Sequence, residues 1–189
     1  MEIIKIYPRG FGANTYILTA DNKTAVVIDP AQNRIESELI KRELTAKFVL
    51  LTHCHFDHVA GVAVLQKSGA KVLCSEKETP LVGTQADLFE LFGAPREAYT
   101  VDETLKDNET RTLCGIEIQT LYTAGHTAGS VSYLVKDGDK KYLFTGDMGV
   151  LRQSLRRLSA LEDIPVYSGH GEETTLETER KTNPFLIDL

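Results

Sequence analysis

All five histidines of the chain fall in three short runs. Three lie in His53-Cys54-His55-Phe56-Asp57-His58, one in Ala124-Gly125-His126-Thr127 and one in Ser168-Gly169-His170-Gly171. Imidazole is the commonest metal-binding side chain near neutral pH. Each run also carries glycine or an acidic residue, so the set reads as that of a metalloprotein. Nitrogen and oxygen ligands suit zinc, iron or manganese, and without a thiolate ligand the choice stays open.

The spacing inside the first run carries geometry. Val49-Leu50-Leu51-Thr52 is an apolar stretch that predicts a buried strand ending at His53. Side chains alternate along extended backbone, so His53 and His55 can face one ion. Asp57 follows in phase and His58 does not. The backbone must turn there, and Asp57 and His58 can then face a second ion. Two ligands on one helix face would instead stand three or four residues apart. Cys54, between two histidines, should point away from their ion and be a small buried residue.

The elements that position these runs are short strands with helices between them. Residues 3–7, 14–19 and 25–28 read as an antiparallel group, with turns at Pro8-Arg9-Gly10 and Asp21-Asn22. Residues 34–44 have helical spacing through Ile35, Leu39, Ile40 and Leu44, with Asn33 as cap. A helix is expected over 59–66, a strand over 71–74 and a short helix over 87–92. Residues 111–113 and 116–123 predict a hairpin around Gly115, and 131–135 with 141–144 a second pair. A helix over 151–161 and a strand over 165–167 follow. The expected class is α/β (α+β), with two similar layers face to face, helices outside, and every candidate ligand just after a strand.

The run His53-x-His55-x-Asp57-His58 resembles the signature of the metallo-β-lactamase superfamily. Ala124 to Ser130, Leu143-Phe144-Thr145-Gly146-Asp147 and Ser168-Gly169-His170-Gly171 follow in the matching order. Asn14-Thr15-Tyr16 and the ending from Gly169 to Leu186 are similar to the short glyoxalase II-like, or hydroxyacylglutathione hydrolase-like, branch. The resemblance covers nearly the whole chain and implies the four-layer αβ/βα sandwich. It implies two divalent ions, zinc first with iron or manganese open. His53, His55 and His126 would hold one ion, Asp57, His58 and His170 the other, and Asp147 would bridge them. Paired ions lower the pKa of a shared water, giving a bridging hydroxide that can attack a carbonyl carbon. Asp57 is the candidate catalytic residue, orienting that nucleophile as well as binding metal. Thr52 and Thr127 are candidate partners of the ligands.

The implied activity is hydrolysis of an acyl thioester such as S-lactoylglutathione. The alternatives are a lactonase-type hydrolase or a mono-iron persulfide dioxygenase on the same fold. A metal-stabilised binding module without turnover is a third class. Glyoxalase II enzymes of the long type carry a C-terminal helical extension with glutathione contacts, which this chain lacks, so the substrate stays open. The family also places a longer segment between the bridging Asp and the last His. Here Gly146-Asp147 runs directly into Met148-Gly149-Val150-Leu151. Either that loop is deleted or the chain as written omits it, and omission is the expectation. Asp147 then has two readings, ligand or cap of the following helix, and the strand before it favours the ligand.

Composition is consistent with this. The 189 residues suffice for one domain, 1–189, with a sizeable core. The net charge of −6 argues against a nucleic-acid groove. The start Met1-Glu2-Ile3-Ile4-Lys5 has no signal-peptide pattern, and no apolar run is long enough to cross a bilayer. Three widely spaced cysteines give no disulfide framework. A cytoplasmic protein acting on a small-molecule substrate is expected, with no nucleic-acid or membrane partner and the oligomeric state open.

Overall fold

The computed structural model describes residues 1–187 and 189. The first half runs β1 (Glu2–Ile6), β2 (Thr15–Thr19), β3 (Thr24–Ile28), α1 (Ile35–Ile40), β4 (Thr45–Leu50), α2 (Phe56–Val59), α3 (Val62–Lys67) and β5 (Lys71–Ser75). Then come α4 (Phe89–Phe92), β6 (Glu103–Leu105), β7 (Thr110–Leu113), β8 (Ile116–Tyr122), β9 (Val131–Asp137) and β10 (Lys140–Gly146). The chain continues through α5 (Arg152–Ser159), β11 (Pro165–Ser168), β12 (Thr174–Thr175), α6 (Leu176–Thr182) and α7 (Pro184–Ile187).

Two six-stranded mixed sheets result, one ordered β1-β2-β3-β4-β5-β6 and the other β12-β11-β10-β9-β8-β7. Strand alternation explains how they stack. In β3, Val26 and Ile28 point to the second sheet, while Ala25 and Val27 face α1 and α3. From the second sheet Val131, Tyr133, Val135 and Phe144 meet them. Tyr133 and Phe144 are fully buried there. On the far side Leu134, Leu143 and Val166 pack against Leu158 of α5 and Leu176 of α6. Three apolar layers between four layers of structure give the αβ/βα sandwich. Burying one large aliphatic or aromatic side chain contributes roughly 1.5–3 kcal/mol, so the two sheets hold together mainly through this shared core.

Several elements differ from the sequence expectation. The helix predicted over 34–44 ends at Ile40, because Glu43 adopts a left-handed φ of 57° and turns the chain back into β4. Asn33 does not cap it; the cap position is Arg34, with no side-chain bond. The helix predicted over 59–66 is two short helices, α2 and α3, parted where Gly61 N–H donates to the Pro30 carbonyl at 2.6 Å. β6, β12, α6 and α7 were not expected.

The connection after Asp147 runs directly from β10 into α5. A Cβ on Gly149 would overlap the backbone of Gly125 and His126, so this connection packs tightly against the turn that carries His126. Asp147 is not the cap of α5; that position is Leu151, which makes no side-chain cap bond.

Candidate metal centre

The site forms where strand ends of both sheets meet. β4 delivers His53 and His55, and the turn expected beyond them is α2, which carries Asp57 and His58. The loop between β8 and β9 carries His126, the end of β10 leads to Asp147, and the end of β11 leads to His170. β2 anchors that last loop. Asn14 N–H donates to the Gly169 carbonyl at 2.7 Å, Asn14 Nδ2 to those of Ser168 and Gly171, and Tyr16 Oη to that of Ser168.

All seven residues singled out from the sequence come together. Their ligand atoms fall into three groups, each within 4.8 Å of one another. These are His53, His55 and His126; His53, His58 and Asp147; and Asp57, His58 and His170. Asp147 stands among them, its carboxylate 3.4 Å from His58 Nε2, 3.6 Å from His126 Nε2 and 3.5 Å from His170 Nε2. Asp57 Oδ2 is 3.2 Å from His170 Nε2. Cys54 is buried and belongs to none of the groups.

Two residues not identified from the sequence organise the cluster. Asp29, buried at the end of β3, accepts the Thr52 N–H at 2.8 Å and the Thr52 hydroxyl at 2.6 Å. His58 Nδ1–H donates to the same carboxylate at 2.9 Å. A hydroxyl has one proton, and that of Thr52 is committed to Asp29, so it accepts from His53 Nδ1 at 3.1 Å. With Nδ1 of both rings so engaged, Nε2 of each faces the cluster and is the atom left to bind a cation once His58 gives up its second proton. Those Nε2 atoms are buried with no hydrogen-bond partner, which is costly unless something electropositive meets them. Orphaned donor atoms within such convergent nitrogen and oxygen groups fit a bound metal.

Glu78 is the second organiser. It is fully buried, accepts the Cys54 N–H at 2.9 Å, and accepts the Thr127 hydroxyl at 2.6 Å and the Gly129 N–H at 3.1 Å. One carboxylate thus ties the His53–His55 loop to the His126 loop. Thr52 touches a ligand candidate directly, while Thr127 bonds Glu78 instead. Asp29 was legible as an acid ending an apolar strand before Pro30; Glu78, within Glu76-Lys77-Glu78, looks like any surface charge run.

The electrostatics agree with the geometry. Burial, then the neighbouring His58, pushes the His53 imidazole well below its usual range, and burial with His126 lowers His55. Burial also opposes a charged His58, but Asp147 and Asp29 outweigh it and raise it to about 10. Asp57 and Asp147 stay below the usual carboxylate range; burial acts against this, and His170 beside Asp57 and His58 beside Asp147 overcome it. The cluster is therefore a set of neutral and cationic rings interleaved with carboxylates. Loading a cation would expel the proton from His58.

Two glycines allow this crowding. A Cβ at Gly169 would overlap Asp147 Oδ1 and lie 2.7 Å from His58 Cε1. Gly125 has a φ of 145°, which aims His126 inward, and its vacant side is covered by Leu151.

Comparison with known proteins identifies the family. Residues 8–182 match the metallo-beta-lactamase superfamily. The chain is 30% identical to the hydroxyacylglutathione hydrolase GloC of Haemophilus influenzae, over 98% of this chain and 97% of that protein. Their alignment runs to 210 positions, so gaps open in this 189-residue chain. The crystal structure of the BLEG-1 B3 metallo-beta-lactamase is similar with a TM-score of 0.86 at 30% identity, covering 98% and 99% of the two chains. That of TTHA1623 in a di-iron-bound form gives 0.80 at 29% identity, covering 98% and 100%. The chain belongs to the metallo-beta-lactamase superfamily.

Proposed function

We propose that this chain is a binuclear metallohydrolase acting on acyl thioesters, with S-lactoylglutathione as the leading case. The observation that carries this reading is the meeting of three His/Asp groups around Asp147. His53, His55 and His126 would hold one ion, Asp57, His58 and His170 the other, and Asp147 both. Bound ions supply a lowered water pKa, so that a nucleophile exists at neutral pH, and a charge that stabilises the developing carbonyl oxyanion.

The chain's own residues do the remaining tasks. Asp29 holds protons on Nδ1 of His58 and, through Thr52, of His53, which keeps both Nε2 lone pairs facing inward. Asp57 Oδ2 and His170 Nε2, 3.2 Å apart, would both turn to the second ion. The other oxygen of Asp57 can accept from the attacking water and aim it at the carbonyl carbon. A thiolate leaves without prior protonation, so no separate general acid is required. The similarity to GloC supports thioester chemistry, and the di-iron form of TTHA1623 supports a pair of ions. The test is thiol release from S-lactoylglutathione by zinc-loaded protein, its loss on chelation and its return with metal. Protein loaded with two ions that leaves every thioester intact, yet opens lactones, would contradict the reading.

A further inference from the structure

A cavity of about 500 Å³ opens beside His126, Asp147 and His170. Away from the cluster Thr174, Glu179 and Asn183 line it beside an apolar wall of Met148, Leu155, Leu158, Val166, Leu176 and Leu186. The apolar residues come from α5, β11, α6, α7 and the short connection after Asp147, so the cavity runs from the cluster toward the helical layer over the second sheet. The charged lining residues beyond the cluster are Glu172 and Glu179, and no Lys or Arg lines it among the described residues. The connection after Asp147 packs through Gly149 against Gly125 and His126, and its Met148 lines the cavity.

We propose that this cavity receives the acyl group of the substrate, and that this group is an apolar chain of about six to ten carbons. The proposal rests on the thioester-hydrolase reading above and names the substrate class within it. A thioester whose carbonyl lies at the cluster has two substituents, the acyl chain and the sulfur, and only one can enter. An apolar wall favours a hydrocarbon by about threefold to fourfold in binding per buried methylene. Glu172 has its charge paired with Lys5 at 3.6 Å, but a thiol carrying carboxylates would still meet Glu179, so the sulfur side faces outward. The lactoyl group of S-lactoylglutathione enters the same space but leaves most of it unfilled, so it is turned over more slowly than a longer acyl group. The reaction stays balanced: the water oxygen bonds to the acyl carbon, the C–S bond breaks with its electron pair on sulfur, and the water protons pass to thiolate and solvent.

The experiment uses zinc-loaded protein and two series of thioesters, acetyl, butyryl and octanoyl, on N-acetylcysteamine and on glutathione. The expected result is that kcat/KM climbs with acyl length by about threefold or more per methylene and changes little with the thiol. Leu186→Trp, at a partly exposed position of α7, and Leu155→Trp, at a buried position of α5, should each lower the octanoyl-to-acetyl ratio by about tenfold or more. Octanamide, but not acetamide, should shift the methyl NMR signals of Leu155 and Val166. Hydrolysis that is flat in acyl length, or that follows the thiol instead, overturns the proposal while leaving thioester hydrolysis standing. If no thioester is cleaved, the functional reading fails, and the octanamide shifts alone decide whether the cavity takes an apolar chain; their absence overturns it.

Discussion

Asp29 Oδ2 lies 2.9 Å from His58 Nδ1 and 2.6 Å from the Thr52 hydroxyl, which in turn lies 3.1 Å from His53 Nδ1. One buried carboxylate therefore sets the tautomer of a histidine on each side of the cluster. Asp29→Asn keeps the shape and loses the charge. Removing such a partner typically lowers metal affinity by about 10- to 100-fold. Competition against a chromogenic chelator measures it, and unchanged affinity would show that the ring orientations do not depend on Asp29.

Glu78 joins the two histidine-bearing loops through bonds to Cys54, Thr127 and Gly129. Glu78→Ala leaves two buried N–H donors without an acceptor and should destabilise the fold by about 3 kcal/mol. Glu78→Gln, which can still accept one of them, should cost less. Urea unfolding distinguishes the two, and equal stability of all three proteins would remove Glu78 from this role.

Gly169→Ala places a methyl group against Asp147 Oδ1 and His58 Cε1. The carboxylate at the centre of the cluster has to shift, so metal content should fall while secondary structure by circular dichroism is retained. Full metal content in this variant would contradict the packing at Asp147.

The metal-free protein should lose stability in mild acid. His53 and His55 have folded pKa values held below the usual 6.5, by burial first. The unfolded chain then binds protons that the folded chain refuses, so stability falls as pH drops through about 6.5. His58, raised to about 10, contributes in the other direction: its contribution is complete below about 6.5 and is lost as pH climbs through about 10. Urea midpoints of chelated protein at pH 7 and about pH 5.5 should show the lower value in acid. An equal or higher midpoint in acid would contradict a buried neutral His53.

The seven candidate ligands were legible because their types are rare and their spacing matches strand ends, and alternation correctly placed His53 and His55 together with Cys54 turned away. The strands of both sheets were legible from apolar runs for the same reason. What escaped was set by tertiary contacts. α1 stops early because Glu43 must turn the chain into a parallel neighbour, and β6 and β12 are edge strands of three and two residues with little pattern to read. Glu78 gains its role only when two distant loops close over it. The connection after Asp147 read as an omission because a Gly-Asp pair is expected at both ends of a loop. As folded, residues 147–151 pack through Gly149 onto Gly125 and His126.

Metal stoichiometry tests the central claim most directly. Protein purified with zinc available and measured by elemental analysis should hold close to two ions per chain. His55→Ala and His58→Ala, each removing a ligand from a different group, should lower that count and abolish turnover. Two ions retained in both variants with activity intact, or a wild-type chain that binds none, would contradict the account.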